Sequence, residues 1–242
     1  MRIAVAGGTG VVGRHVVEVA RERGHDVVVL SRSEGVDLTT GAGLIDRLAG
    51  VDAVIDTSNR PVQKRAEAEA FFRAVTRHLL EAERRARVGH HVVLSIVGID
   101  GVDSGYYAGK RLQERVVAEG EVPWTVLRAT QFHEFAEQVL QFARIGPFSL
   151  VPRMTSQPVA AREVAEALVD AAEAGPAGRS PDLAGPEVHQ MVDLARRVAH
   201  GRRVVPVPLP GAAGRAMRSG ALLPTGPGPR GRITFDAWLA DR

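Results

Sequence analysis

Two tyrosines and two lysines are all that this 242-residue chain contains, and three of the four fall within five residues, Tyr106-Tyr107-Ala108-Gly109-Lys110. On a helix Tyr106 and Lys110, four residues apart, share a face, while Tyr107 points elsewhere. An ammonium beside a phenol favours the phenolate and is expected to lower the tyrosine pKa. A phenol tuned in that way can give a proton to a carbonyl oxygen while a hydride arrives on the carbon. Ser95 adds a hydroxyl at the expected carboxyl end of a strand, where it can orient the substrate oxygen. The competing reading makes Tyr106 an aromatic at the core edge and Lys110 a surface charge. What favours chemistry is a second motif near the start of the chain.

That motif is Gly7-Gly8-Thr9-Gly10-Val11-Val12-Gly13. It follows an apolar strand and opens a helical pattern. The first glycine permits a sharp turn, the second a close approach of backbone to a pyrophosphate, and the third tight packing of the new helix on the sheet. The free N–H groups of the first helical turn then face the anion, assisted by the helix dipole. Gly7, Thr9, Gly10, Val11, Val12 and Gly13, with Arg14 just beyond, are the expected dinucleotide contacts, and Lys110 can hold ribose hydroxyls of the same ligand. About 20 residues on, NAD-binding chains carry Asp or Glu at the end of the second strand. Here the stretch is Ser31-Arg32-Ser33. A guanidinium with two hydroxyls suits a 2′-phosphate, which Arg grips through its planar fork. The expected cofactor is therefore NADP(H), with Asp37 and Leu38 at the adenine edge. Thr57 and Ser58, at the end of the third strand, are expected either beside the cofactor or, with Asn59, as helix-capping residues. Gln131, Phe132 and His133, after the fifth strand, are candidate substrate contacts.

The elements that must position these groups alternate. Strands are expected at Arg2 to Ala6, Asp26 to Ser31, Asp52 to Asp56, His90 to Ser95 and Trp124 to Arg128. Helices are expected at Val11 to Arg23, Ala42 to Ala49, Pro61 to Arg87 (with Pro61 in the favoured first turn) and Tyr106 to Glu119. Alternation with strands apolar on both faces predicts an α/β fold, a doubly wound parallel Rossmann sheet with helices on both faces. Ligands of such sheets bind outside the carboxyl ends of the strands. The rhythm then loosens into helices at Gln131 to Arg144, Ala161 to Ala174 and Val188 to His200, an extended stretch from Ser149 to Val159 and a short strand from Val204 to Val207. Pro224 to Pro229 reads as a mobile loop and Ile233 to Leu239 closes the chain. A dinucleotide-binding domain over 1–145 and a small C-terminal substrate-side part over 146–242, interleaved with it, are the expected organisation.

Composition narrows the function classes. With no cysteine there are no disulfides, thiolate metal sites or cysteine nucleophiles, and no HExxH-type spacing suggests a metal. Net charge is +3 with a pI near 9.9. The basic residues are scattered among 28 acids, as on solvated helix faces, so no nucleic-acid partner is expected. No apolar run is long enough to span a membrane, and a strand beginning at residue 2 leaves no room for a leader. A cytoplasmic protein with a small-molecule substrate is expected; the oligomeric state is not legible.

These residues resemble the short-chain dehydrogenase/reductase superfamily and, more closely, its atypical NmrA-like branch of NAD(P)-binding proteins. The resemblance rests on the glycine motif, on Ser95 with Tyr106 and Lys110, and on Leu127 to Glu134. It is extended by Pro158-Val159-Ala160 before Glu163-Val164-Ala165, and by Leu183-Ala184-Gly185-Pro186-Glu187. It implies a Rossmann domain, NADP(H), and reduction of a carbonyl, quinone or enone. Some NmrA-like members are redox sensors without catalysis, and many of those lack the tyrosine that is kept here. A cofactor-retaining isomerase or epimerase is the third expectation, although sugar-nucleotide epimerases are usually longer chains.

Overall fold

The computed structural model describes residues 1–241. In chain order its elements are β1 (Arg2–Ala6), α1 (Gly13–Glu22), β2 (Asp26–Leu30), α2 (Leu44–Arg47), β3 (Ala53–Asp56), α3 (Arg65–Ala86), β4 (His90–Ile96), α4 (Gly105–Ala118), β5 (Trp124–Ala129) and α5 (Phe135–Phe142). There follow β6 (Arg144–Ile145), β7 (Phe148–Pro152), β8 (Thr155–Ser156), α6 (Ala161–Ala174), β9 (Gly178–Arg179), β10 (His189–Gln190), α7 (Met191–Arg197), β11 (Arg203–Val207), α8 (Gly211–Arg218) and α9 (Phe235–Ala240).

The expected Rossmann-type α/β fold is present. Six strands form one sheet in the order β2-β1-β3-β4-β5-β9, with parallel pairing of β1 to β2 and β3, of β3 to β4, and of β5 to β9. Ile3, Ala4, Val5 and Ala6 are all inaccessible to solvent, so β1 is covered on both faces. On one face Ala4, Ala6, Val28, Leu30 and Val54 pack against Leu44 of α2, Leu48 just after it, and Val75 and Leu79 of α3. α1 is tied to α6 by Arg23, whose Nη1 lies 2.6 Å from Asp170 and 2.9 Å from Glu173.

The strand order explains where a ligand belongs. The chain leaves β1 for β2 on one side and returns across it to β3 on the other. The crevice at the carboxyl ends of β1 and β3 is therefore the switch point of the sheet. The register puts Ala6 level with both Leu30 and Asp56. Gly7, Ser31 and Thr57 are thus the next residues on three adjacent strands, and β4 carries on past Val93, the partner of Asp56, to Ser95.

By compactness the chain forms two units, each assembled from separate stretches. The first comprises 1–95, 104–128 and 164–180, the second 96–103, 129–163 and 181–242. The expected cut near residue 145 divides the chain by position; the contacts divide it by these stretches. Within the second unit β7 is the middle strand of a three-stranded sheet, β11-β7-β6, and β8 pairs antiparallel with β10.

Three expected helices begin three or more residues later than their sequence pattern. Pro61 is outside α3, which starts at Arg65 behind an extended Lys64. The preceding segment lies directly against Gly105 at the start of α4, where a Cβ would run into the Gln63 carbonyl oxygen and the Arg65 nitrogen. The helix expected from Gln131 starts at Phe135, because the Val159 N–H donates to Gln131 O and the His133 N–H to Val159 O, a strand-like pairing. The helix expected from Val188 starts at Met191, because His189 and Gln190 pair with Ser156 and Thr155.

Candidate functional site

The glycine turn has the geometry its spacing predicts, with one change of reason. Gly7 has φ +75°, and a Cβ on it would lie 3.0 Å from the Ser58 nitrogen. Any other residue would be strained there and would push β3's outgoing chain away. Around Gly10 the space is open except for Gly7 O at 3.2 Å. Gly13 is needed because a Cβ would strike the Gly7 carbonyl oxygen and come within 2.8 Å of Gly8 Cα. The third glycine therefore seats the helix on the turn itself. α1 begins with Val12 at its N-cap, and no side chain caps it. Its leading N–H groups are left without a side-chain acceptor, as a phosphate-binding turn requires. Arg14, on the first helical turn, is exposed.

At the end of β2 the Ser31 and Ser33 hydroxyls hydrogen-bond at 2.8 Å, and Arg32 is exposed in a short 3₁₀ turn. Glu34, the nearest carboxylate in sequence, lies 3.9 Å from the Arg47 guanidinium, which also donates to the Glu34 carbonyl at 2.6 Å. Asp37 works within its own loop: its carboxylate accepts from the Thr39 N–H at 2.8 Å and the Thr39 hydroxyl at 2.6 Å, which holds its pKa down. Leu38 packs against the core beneath β1 and β2.

Thr57, Ser58 and Asn59 do not cap α3, which begins six residues after Asn59 behind Lys64. The Thr57 hydroxyl instead donates to Ala6 O at 2.8 Å, and the Ser58 N–H donates to Asp56 Oδ1 at 2.8 Å. Asn59 Oδ1 accepts the Tyr106 hydroxyl at 2.8 Å.

Tyr106 and Lys110 do share a face of α4, since both touch Phe72 of α3: the Tyr106 ring is 6.0 Å away and Lys110 Nζ lies 4.9 Å over the ring face. Their polar ends part. The Tyr106 hydroxyl goes to Asn59, whereas Lys110 is buried and its ammonium donates to Leu94 O at 2.7 Å and to Gln113 Oε1. The expected lowering of the tyrosine pKa is therefore reversed. Burial pushes Tyr106 up to about 12, and burial likewise pulls Lys110 down to about 8, against the attraction of Asp56 and Glu114. A ribose-binding lysine is also at odds with this geometry, because the ammonium is turned into the protein. Tyr107, packed 5.6 Å from the Tyr106 ring, is raised further by burial. Ser95 is 2% exposed, and its hydroxyl has no hydrogen-bond partner among the described residues.

Sequence reasoning missed Asp56 and Gln113. Gln113 Nε2 donates to Asp56 Oδ2 at 2.9 Å, and both residues are 1% exposed. The signal was available: Gln113 follows Lys110 by three on an amphipathic helix, on the face that is otherwise apolar.

In the second unit the Gln131 carboxamide is buried, with neither nitrogen nor oxygen partnered among the described residues. Phe132 bridges Val159. His133 is enclosed, its Nε2 3.0 Å from Ile233 O and its ring against Phe235 and Trp238 at 5.4 and 5.6 Å. Burial lowers its pKa and keeps it neutral. That is the environment of a packing histidine. Among the described residues no group of three or more His, Cys, Asp or Glu is arranged to hold a metal, and no helix is long and apolar enough to cross a membrane.

Comparison with known proteins agrees with this geometry. Residues 7–174 match the model of a family described as NAD(P)H-binding. A 3-diazoavenalumate denitrifying reductase from a Streptomyces species is 31% identical over 167 residues, 53% of this chain and 55% of that protein. The chain thus spans about half the length of the curated relative it matches. Among solved structures, a Thermus thermophilus UDP-glucose 4-epimerase complexed with NAD superposes with a TM-score of 0.68 at 21% identity, covering 99% of both chains. A short-chain dehydrogenase/reductase superfamily protein from Agrobacterium tumefaciens with bound NAD gives 0.68 at 20% identity, covering 100% of this chain and 95% of that one. At such identities the likeness is one of fold.

Proposed function

The chain belongs to the NAD(P)H-binding family, and from that premise we propose that it is an NADPH-dependent reductase of a small organic carbonyl, quinone or enone. The observation that carries the coenzyme half is the level register of Gly7, Ser31 and Thr57 at the switch point of the sheet, beside an uncapped α1. The turn from Gly7 to Gly13, with Arg14, would hold the pyrophosphate. Ser31, Arg32 and Ser33 would hold the 2′-phosphate, with the neighbouring Glu34 beside Arg47, and Thr57 and Ser58 would flank the dinucleotide. The reduced nicotinamide supplies a hydride.

The proton is the chain's own contribution. Tyr106 keeps its phenolic proton through the neutral range, since burial raises its pKa to about 12. It is the group we assign to protonate the substrate oxygen, with Ser95 orienting that oxygen. Gln131 and Phe132 are the substrate-side candidates in the second unit. The curated relative is by its name a reductase of a diazo compound, which adds that class to the acceptors to be tried. The test is NADPH oxidation over a panel of ketones, quinones, enones and diazo compounds. Turnover with one class supports the reading. Tight coenzyme binding with no acceptor reduced contradicts it.

One observation favours a second reading. The Ser95 hydroxyl is enclosed and the Lys110 ammonium is engaged internally, as suits a coenzyme-binding sensor that transfers no hydride. A sensor would bind NADPH and NADP with unequal effects on a protein partner and would show no NADPH consumption.

A further inference from the structure

Asp56, Gln113 and Lys110 form one buried polar chain. Asp56 ends β3, and its two carboxylate oxygens have separate duties. Oδ1 accepts the Ser58 N–H at 2.8 Å, and Oδ2 accepts Gln113 Nε2 at 2.9 Å. Gln113 Oε1 in turn accepts Lys110 Nζ, which donates also to Leu94 O at 2.7 Å and lies over the Phe72 ring. The carboxamide is thus oriented by charge at both ends, its oxygen to the cation and its nitrogen to the anion. The chain has two termini of functional interest. Ser58 is the residue whose backbone stands so close to Gly7 that a Cβ there would lie 3.0 Å from its nitrogen. Leu94 is the residue before Ser95.

We propose that Gln113 is a positioning residue: its carboxamide spans the buried Asp56 and Lys110, and so couples the glycine turn that holds the dinucleotide to the strand end that carries Ser95. This rests on the coenzyme-binding half of the proposed function, not on the identity of the acceptor. Lys110 in this account is a strut between α4 and β4. A buried carboxylate and ammonium held apart by one carboxamide depend on it, because the other directions of the ammonium are taken by Leu94 O and the Phe72 ring.

The geometry specifies its own rescue. In Gln113→Glu two carboxylates face each other where Oδ2 of Asp56 now accepts. In Asp56→Asn an amide nitrogen faces an amide nitrogen. In the double variant Asp56→Asn/Gln113→Glu every hydrogen bond is restored with the negative charge moved by one residue: Lys110 donates to the new carboxylate, the new Asn donates to its other oxygen, and Ser58 still donates to the Asn carbonyl. We would measure NADPH affinity by fluorescence titration, and amide hydrogen exchange of peptides containing Gly7 and Ser95, for the wild type, both single variants and the double. Each single variant should weaken NADPH binding roughly tenfold and speed exchange at both peptides, and the double should return to within about threefold of the wild type. Gln113→Glu alone should recover on acidification, as the facing carboxylates come to share a proton.

Single variants that match the wild type overturn the proposal. So does a folded double variant no better than the worse single, or exchange that changes at one terminus without the other. If the wild type itself fails to bind NADPH, the proposed function falls, and the exchange pattern alone still decides the coupling. Thermal unfolding of each variant identifies a failure to fold. A single variant that unfolds while the double is folded supports the coupling, and a double that also fails contradicts it.

Discussion

Lys110 carries its charge in a place that water does not reach, and this sets a pH dependence that can be measured. Its folded pKa, near 8, lies below the ordinary 10.5. Between those values Lys110 binds more proton in the unfolded chain than in the folded one, so its own contribution to stability should rise with pH across that window, by at most ~1.4 kcal/mol for each pH unit. Lys110→Met lacks the titrating group, so the difference in unfolding free energy between wild type and variant should grow in the wild type's favour from pH 8 to 10.5. An equal slope in the variant would show that other groups produce it. Under the proposed 2′-phosphate assignment, Arg32→Ala should reduce the preference for NADPH over NADH by roughly tenfold or more, the worth of a charge-assisted phosphate contact. Competitive binding measures this directly, and an unchanged ratio rejects the 2′-phosphate assignment. The residue types and spacings of Tyr106, Lys110 and the glycines were legible in the sequence. The direction of the Lys110 ammonium was not, because it depends on Gln113, Asp56 and Leu94, whose approach is set by tertiary packing of α4 on β3 and β4.

Two helix contacts hold these residues in place. Gly109 lies between Tyr106 and Lys110 and faces α3, where an added Cβ would sit 2.7 Å from the Phe72 ring and 3.0 Å from Ala68. Gly109→Ala should therefore cost about 1–3 kcal/mol by overpacking, despite alanine's better helix propensity. It should also disturb Tyr106 through Phe72, which touches both. Denaturant unfolding tests the first effect, and a neutral or stabilised variant would contradict this packing. Farther from the site, α3 is pinned to β4 by Glu83 and His91, both inaccessible, with the imidazole Nδ1–H 2.8 and 3.0 Å from the two carboxylate oxygens. Burial works against a charged imidazole here, yet Glu83 outweighs it and the His91 pKa is raised. The stabilisation is therefore complete below the ordinary 6.5 and is lost as pH rises through the folded value. Glu83→Gln should destabilise by about 3–5 kcal/mol on the acid side, with a narrower difference at alkaline pH. Equal destabilisation at every pH would place the loss elsewhere. The strand pattern alone puts His90-His91 at the end of the sheet away from the site, and there the pair lies. That His91 has a buried carboxylate partner eight residues earlier is hidden in the sequence, because helix and strand meet only in the fold.

For the molecule as a whole, strand alternation was enough to predict a parallel sheet, and the register then levels the glycine turn with Ser31 and Thr57 without further information. The sixth strand was invisible. β9 is two residues long, Gly178–Arg179, and so short a segment has no period to detect. The start points of α3, α5 and α7 were misplaced for one physical reason: their first residues spend their backbone groups, or their space, on neighbours distant in sequence. A protein that binds NADPH only when folded should be stabilised by it through mass action, by ~2.7 kcal/mol at a hundredfold excess over the dissociation constant. The central claim is sharper than binding, for it assigns the proton to Tyr106. The measurement that meets it most directly is NADPH oxidation with the best acceptor by the wild type and by Tyr106→Phe, with coenzyme affinity measured alongside. The account predicts turnover lower by roughly 10²–10⁴-fold with coenzyme affinity little changed. Turnover equal to the wild type would contradict it.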